Sequence, residues 1–159
     1  MTIQTGDAIP EVTLKHIHDG GVQTVDTPTL FAGKKVVLFA VPGAFTPTCS
    51  ERHLPGFVEH FDRFRERGIE VACMAVNDPF VMQAWGESQQ VPSGLMMLSD
   101  GNGDFARALG LEMDASGYGM GLRSKRFALY AEDGVVQKLF VEAPGEFRVS
   151  DAQHVLAQI

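Results

Sequence analysis

Apolar residues form two nearly unbroken runs in the first half of the chain, at residues 35–41 and 69–76. Runs of this length predict strands that are buried on both faces of a sheet. The segment between them predicts a helix, because its apolar residues recur at helical spacing: Leu54, Phe57, Val58, Phe61 and Phe64. We expect this helix to bend at Pro55, which lacks a backbone donor, and to end at Gly68. A crossover helix makes the two strands parallel.

The two ends of the chain predict hairpins. Residues 12–25 alternate between apolar and polar around a turn at 19–21, and residues 126–141 flank a second turn at 132–134. The N-terminal hairpin precedes the strand–helix–strand unit, and the second hairpin follows it.

Caps and prolines mark the remaining helices. Thr27 followed by Pro28 predicts an N-cap, and residues 77–79 predict the start of a helix that leads to a short strand at 95–98. Residues 150–153 form a capping box in front of a terminal helix. The predicted order is a hairpin, then β-α-β-α-β-α, then a hairpin and a helix.

The chain has 159 residues, so we expect residues 1–159 to form a single α/β domain with a mixed central sheet flanked by helices. Its net charge of -7 makes nucleic acid and anionic membranes poor partners. Residues 1–10 lack the apolar segment of a signal peptide, and the run at 36–41 is too short to span a bilayer. With only two cysteines, we expect a cytoplasmic protein whose thiols are reduced at rest.

Cys49 lies where the first buried strand ends and the long helix begins. The backbone N–H groups and the positive dipole end of a helix start stabilise a thiolate, which is the reactive form of cysteine. A buried structural thiol is the alternative, but proline, glycine, threonine and serine crowd around Cys49 in the segment 41–50. This context favours a functional nucleophile.

The segment Thr46-Pro47-Thr48-Cys49 has the spacing of a C-x-x-C redox motif, with a hydroxyl in place of the first sulfur. No disulfide closes within such a motif, which disfavours a thioredoxin-like disulfide reductase. A lone thiolate can instead attack the O–O bond of a peroxide and become a sulfenic acid. That reaction needs a cation near the sulfur and donors that hold the peroxide oxygens in line.

The residues around Cys49 also carry a family resemblance. Residues 42–50 and 53–57, together with residues 76–81 and 124–127, strongly resemble the peroxiredoxins, and within them the atypical type-II, peroxiredoxin-5-like subfamily. The resemblance implies a thioredoxin-like fold and a thiol-dependent peroxidase that reduces hydrogen peroxide and alkyl hydroperoxides. It implies no bound cofactor, because the reductant is an external thiol.

The resemblance further implies roles for individual residues. Cys49 is expected to be the peroxidatic residue, Pro42 to shield its thiolate, and Thr46 to hydrogen-bond the sulfur or the peroxide. From the residues alone, Arg123 and Arg126 are equally good candidates for the cation. The family has its arginine directly before an aromatic residue, and this selects Arg126.

Cys73 decides how the oxidised protein is recycled. It lies in an all-apolar strand, where cysteine usually acts as a small hydrophobe, about three residues and roughly 10 Å short of the strand end. A disulfide needs Cα atoms within roughly 7 Å, so we interpret Cys73 as structural and disfavour a resolving role. Some relatives have a resolving cysteine near residues 140–150, and this chain has none there. In some plant-type relatives a resolving role is attributed to a cysteine that matches Cys73, so a resolving Cys73 is the alternative. The hypothesis is a one-cysteine cycle with glutathione and glutaredoxin, or thioredoxin, as the reductant.

Other features leave alternatives open. His53 lies one helical turn past Cys49, which suits a Cys–His dyad, but we interpret it as positional support. Phe45, Phe80 and Trp85 either belong to the core or form the homodimer contact that the resemblance implies, and we favour the homodimer. The histidines show no metal-ligand spacing, so no metal site is expected. The alternative function is a peroxide sensor that passes oxidation to a partner protein.

Overall fold

A computed structural model describes residues 2–159 of the protein. The strands are β1 (Thr13–His18), β2 (Gly21–Asp26), β3 (Lys35–Val41), β4 (Ile69–Ala75), β5 (Met96–Ser99), β6 (Glu112–Asp114), β7 (Leu122–Ser124), β8 (Phe127–Glu132) and β9 (Val135–Val141). The α-helices are α1 (Thr27–Phe31), α2 (Leu54–Glu59), α3 (Phe61–Glu66), α4 (Pro79–Ser88), α5 (Asp104–Leu109) and α6 (Ala152–Gln158). A π-helical turn, Cys49–His53, precedes α2, and a short 3-10 helix, Ser116–Tyr118, lies between β6 and β7. No helix within residues 2–159 has both the length and the hydropathy needed to cross a membrane.

Seven of the strands form one mixed sheet in the order β2-β1-β5-β4-β3-β8-β9. Strands β3, β4 and β5 run parallel, and β8 pairs antiparallel with β3 on its other side. Strands β1 and β2 form the N-terminal hairpin, and β8 and β9 form the C-terminal one. The predicted α/β class, mixed sheet and N-terminal hairpin are confirmed.

Strand β3 is buried on both faces, which explains its unbroken apolar run. Its residues 36–41 are each at most 3% exposed. Val37 and Phe39 pack in one cluster with α2, α3, α4 and α6, whereas Leu38 and Ala40 face a second cluster that includes α1 and α5. Alternate side chains of a strand point to opposite faces, so β3 contributes to both cores. Full burial of a large side chain such as Phe39 stabilises the fold by about 1.5–3 kcal/mol.

The helical segment after Cys49 departs from regular α-helix at two places, beside Pro55 and at His60. Pro55 is the second residue of α2, which directly follows the π-helical turn Cys49–His53, so the change of hydrogen-bonding pattern lies beside the missing backbone donor. A bend at Pro55 itself stays a prediction. The second interruption falls at His60, between the end of α2 at Glu59 and the start of α3 at Phe61.

Two predicted caps differ by one residue from those observed. Asp26 rather than Thr27 caps α1, and Asp151 rather than Ser150 caps α6. The hydroxyl of Ser150 donates to the buried carboxylate of Glu142 instead. Hydroxyl side chains that find partners elsewhere in the fold leave the cap position to the neighbouring aspartate.

Candidate active site

Cys49 opens the π-helical turn that follows the loop after β3. The turn is closed by a hydrogen bond from the Leu54 N–H to the Cys49 carbonyl, five residues earlier. Pro55 follows this turn and has no backbone N–H. Because an α-helical hydrogen bond from residue 55 is impossible in any case, the wider turn sacrifices no hydrogen bond at that position. π-helical turns of this kind are frequent at functional sites.

The Arg126 guanidinium lies beside the sulfur of Cys49. Its Nη2 atom donates a hydrogen bond to Cys49 Sγ at 3.1 Å. The sheet produces this contact, because Phe127 of β8 pairs with Ala40 of β3 and Arg126 therefore falls opposite the end of β3. Cys49 is fully buried. Since arginine stays charged and is weakly hydrated, a fixed positive charge lies directly beside the buried sulfur.

His53 is fully buried and holds the other end of the same guanidinium. Arg126 Nη1 lies 2.9 Å from His53 Nδ1, and His53 Nε2 lies 3.0 Å from the Ser150 carbonyl oxygen. A guanidinium only donates, so Nδ1 accepts and Nε2 carries the proton. Burial, followed by the charge of Arg126, lowers the pKa of His53 to about 3, against opposite effects of Ser150 and Glu142. The neutral ring therefore orients Arg126, and its lone pair is not free for a general base.

The two candidate arginines, Arg123 and Arg126, make different contacts near the loop between β3 and Cys49. The Thr46 hydroxyl donates to the Gly43 carbonyl at 2.6 Å, so the Thr46 oxygen presents its lone pairs as acceptors. Arg123 Nη1 lies 3.5 Å from the Pro42 carbonyl, and Arg123 Nε donates at 2.8 Å to a carbonyl of the β6–β7 connection. Arg123 thus contacts the backbone of the loop, whereas Arg126 contacts the sulfur.

Gly43 permits the close packing of this loop. A Cβ atom at Gly43 would lie 2.9 Å from the Met120 methyl carbon, 3.2 Å from Thr46 Cγ2 and 3.3 Å from Arg123 Nη1. Contacts this short require neighbouring atoms to shift. The absence of a side chain at Gly43 thus gives Met120, Thr46 and Arg123 room to approach the loop without such shifts.

Residues 4–156 match the family model described as Redoxin. The chain is 50% identical over 161 residues to "Peroxiredoxin-2E-2, chloroplastic" of Oryza sativa subsp. japonica, covering 98% of this chain and 72% of that protein. It is 45% identical over 156 residues to Peroxiredoxin-2B of Arabidopsis thaliana, covering 97% and 96%. The crystal structure of reduced Prx3 from Vibrio vulnificus, in complex with H2O2, matches with a TM-score of 0.95 and 50% identity over 99% of each chain. The chain belongs to the peroxiredoxin family.

This peroxiredoxin is of the type-II group, and its thioredoxin-like fold is confirmed by the match to solved peroxiredoxin structures. It is a thiol-dependent peroxidase, and members of this family use a cysteine, a peroxide substrate and a thiol reductant. Within residues 2–159, three or more histidine, cysteine, aspartate or glutamate side chains do not come together in a way that suits a metal ion.

The second cysteine of the peroxiredoxin, Cys73, is fully buried in the middle of the sheet. It lies on β4, in register with Phe39 of β3 and Met97 of β5, and belongs to the same core cluster as Cys49. Burial, and then a charge on Cys49, raise the pKa of the Cys73 thiol well above its ordinary value, against the opposing effect of Arg126. A thiol with a raised pKa is a weak nucleophile at neutral pH.

Hydrogen bonds from Trp85 and to Asn77 also support the site of the peroxiredoxin. Trp85 Nε1 donates to Ser50 Oγ at 2.9 Å, next to Cys49, and the Ala44 N–H donates to Asn77 Oδ1 at 2.9 Å. Asn77 follows β4 at the carboxyl end of the parallel strands, where functional side chains collect, so its position offers a signal. Trp85 offers none, because a tryptophan on an amphipathic helix looks like any other core residue.

Proposed function

We propose that Cys49 is the peroxidatic cysteine of this enzyme. The observation that carries the proposal is the 3.1 Å hydrogen bond from Arg126 Nη2 to Cys49 Sγ, because a fixed positive charge favours the thiolate. The thiolate attacks one peroxide oxygen, and an S–O bond forms as the O–O bond breaks. The second oxygen takes up a proton and leaves as water or an alcohol. The sulfur is oxidised to a sulfenic acid, and the substrate is hydrogen peroxide or a small alkyl hydroperoxide.

Arg126, Thr46 and Pro42 have different roles in binding the peroxide and protecting the thiolate. Arg126 already donates to the sulfur and is placed to donate to the oxygen under attack. Thr46 has its own proton committed to the Gly43 carbonyl, so its oxygen accepts a hydrogen bond from a peroxide O–H. The half-buried Pro42 puts an apolar ring at the loop and limits the access of water to the thiolate.

We expect Arg126→Gln to slow the reaction of the reduced enzyme with hydrogen peroxide by about 10- to 100-fold, because a charge-assisted hydrogen bond is lost. Arg126→Lys is expected to fall between wild type and Arg126→Gln, since one ammonium does not reproduce the fork that serves both Cys49 and His53. Stopped-flow fluorescence of Trp85, which is hydrogen-bonded to the neighbour of Cys49, measures the rate.

Arg123→Gln is the matched control for this prediction, because it makes the same change at the arginine that contacts the loop backbone. Its rate is expected to stay within about 3-fold of wild type, as for the loss of an ordinary hydrogen bond. A larger loss in Arg123→Gln than in Arg126→Gln would reverse the assignment of the two arginines.

The oxidised enzyme is recycled in a one-cysteine cycle in this proposal. An external thiol condenses with the Cys49 sulfenic acid to give a mixed disulfide and water, and a second thiol releases reduced Cys49 by thiol–disulfide exchange. Glutathione with glutaredoxin, or thioredoxin, is the proposed reductant. The proposal is supported by the full burial and raised pKa of Cys73, and by the lack of a cysteine in residues 140–150.

A homodimer that uses Phe45 and Phe80 is part of the same proposal. These side chains are 56% and 67% exposed. The prediction that Trp85 joins this contact is wrong, because Trp85 is fully buried and belongs to the core. The backbone of Phe45 has a φ of +64°, a conformation that costs a non-glycine residue about 1–2 kcal/mol. Sedimentation is expected to show a dimer that Phe80→Ser weakens and that Val22→Ser, an exposed change on the edge strand β2, leaves intact. A monomeric wild type contradicts the proposal.

The proposed location of the enzyme is the cytoplasm. Both cysteines are free, and an enzyme recycled by thiols needs the reducing conditions of such a compartment. Recovery of the protein from an organelle in a cell fractionation would count against this location.

A further inference from the structure

Glu142 is a buried carboxylate that lies directly after β9 and outside the contacts of the sulfur. It is only 7% exposed. Its backbone N–H donates to the Arg126 carbonyl at 3.0 Å, which continues the pairing of β8 with β9 by one residue. Glu142 and Arg126 are therefore fixed to one another through the backbone, while their side chains point to different partners.

The Glu142 carboxylate accepts hydrogen bonds from residues 148–150, in the loop that precedes α6. Oε2 accepts hydrogen bonds from the backbone N–H groups of Arg148, Val149 and Ser150 at 2.8–2.9 Å and from the Ser150 hydroxyl at 2.7 Å, and Oε1 accepts a second contact from the Arg148 N–H at 2.9 Å. Burial by itself raises the pKa of Glu142, but these hydrogen bonds outweigh it and hold the pKa below its ordinary value. The ionised carboxylate thus immobilises the backbone of Ser150.

The Ser150 carbonyl closes a ring of hydrogen bonds that returns to Arg126. It accepts from His53 Nε2 at 3.0 Å, which leaves His53 Nδ1 free to accept from Arg126 Nη1 at 2.9 Å. The ring runs from the Arg126 backbone through Glu142, Ser150 and His53 to the Arg126 side chain. Because the guanidinium is planar, the bond from Nη1 to His53 also sets the direction of Nη2 toward Cys49.

We propose that Glu142 is a positioning residue that aims the Arg126 guanidinium at the Cys49 sulfur through Ser150 and His53. This inference rests on the proposed role of Arg126. Every buried side-chain nitrogen or oxygen in residues 2–159 has a hydrogen-bond partner, so the loss of one link leaves the next polar atom unpaired or turned. Loss of the carboxylate charge frees Ser150, the His53 ring loses its fixed tautomer, and Arg126 spends less time directed at the sulfur.

Glu142→Gln tests the proposal, with Glu146→Gln as the matched control. Glu146 lies in the same loop, is exposed, and has its carboxylate 3.7 Å from Arg148 Nε. The second-order rate constant for hydrogen peroxide is expected to fall about 5- to 30-fold in Glu142→Gln and less than about 2-fold in Glu146→Gln, as for the loss of one or two hydrogen bonds. Nitrogen-15 NMR of the His53 ring is expected to show one tautomer, protonated at Nε2, in wild type and a mixture in Glu142→Gln.

A double-mutant cycle with His53→Phe separates this positioning role from a general structural one. Phenylalanine keeps the packing of the His53 ring against Phe39, Phe57 and Phe147 but removes both of its hydrogen bonds. In the His53→Phe background, Glu142→Gln is expected to lower the rate less than about 2-fold further, because the relay is already broken. Effects that multiply in full, or an unchanged rate in Glu142→Gln alone, overturn the proposal.

The inference and the proposed function fail in different ways. If Arg126→Gln reacts as fast as wild type, the role of Arg126 itself is wrong. If Arg126→Gln is slow but Glu142→Gln is not, only the relay is wrong. Should Glu142→Gln unfold at the assay temperature, Ser150→Ala carries the same test, because it removes one of the five contacts to the carboxylate. Its expected loss is about 2- to 5-fold, and a rate equal to wild type counts against the relay.

Discussion

Replacement of Cys49 by serine is expected to lower the rate of peroxide reduction about 1,000-fold or more, because a hydroxyl does not ionise near neutral pH and cannot replace the thiolate nucleophile. The measurement is consumption of hydrogen peroxide with glutathione and glutaredoxin, and separately with thioredoxin. Activity that persists in Cys49→Ser would remove the basis of the proposed mechanism.

Cys73→Ser is the matched control, since it makes the same change at the other buried cysteine. We expect it to keep turnover within about 3-fold of wild type, as for a modest change in core packing. Intact mass after an equimolar amount of peroxide is expected to show one added oxygen, and a glutathione adduct at Cys49 once glutathione is present. Loss of two hydrogens with a Cys49–Cys73 link in the peptide map contradicts the one-cysteine cycle. Rapid oxidation without turnover by either reductant favours a sensor.

Acidification is expected to destabilise the fold through His53. The folded pKa of His53 is lowered to about 3 from an ordinary value of 6.5. Between these values the unfolded chain binds a proton that the native protein excludes, so the free energy of unfolding falls as the pH falls. The loss approaches about 4–5 kcal/mol near the lower value. Urea denaturation at a series of pH values between about 7 and about 4 measures this slope.

The control for this second prediction is His53→Phe, which has no group to protonate at that position. Its unfolding free energy is expected to be lower at neutral pH but flatter with acidification, so slopes rather than absolute values are compared. Burial and His18 also lower the pKa of the partly exposed His16, and this contribution cancels in the comparison. The pKa of Glu142 is depressed, so the stability that its ionised carboxylate contributes is lost only when the pH falls below the ordinary pKa of a glutamate. The slope of the unfolding free energy above pH 5 therefore reports on His53. Equal slopes in both proteins contradict the prediction.

The elements that carry Cys49 are predictable from local patterns. The spacing of apolar residues records which faces are buried, and this was sufficient for β3, β4 and the helical segment between them. The π-helical turn at Cys49–His53 and the interruption at His60 are not predictable in this way. A change of hydrogen-bond step within five residues leaves no mark on hydropathy, because the same residues stay buried.

The burial of Cys73 follows from the sequence, but its distance from the end of its strand does not. An all-apolar strand implies a buried thiol, and Cys73 is fully buried. Strand β4 ends two residues after Cys73, not three, because its last residue is Ala75. Strand ends are set by where neighbouring strands stop pairing, which single-strand composition does not show.

The class of fold, the place of Cys49 between a buried strand and a helix, and the lack of a cysteine in residues 140–150 can all be inferred from the amino-acid pattern. What holds the selected arginine against the sulfur follows from the tertiary structure alone. The residues alone leave Arg123 and Arg126 equally good candidates and the family resemblance selects Arg126, but the contact itself comes from the antiparallel register of β8 against β3, which brings Arg126 to Cys49. His53 meets the Ser150 carbonyl across 97 residues of chain. Such contacts depend on strand register and loop packing, whereas hydropathy patterns encode only which faces are buried.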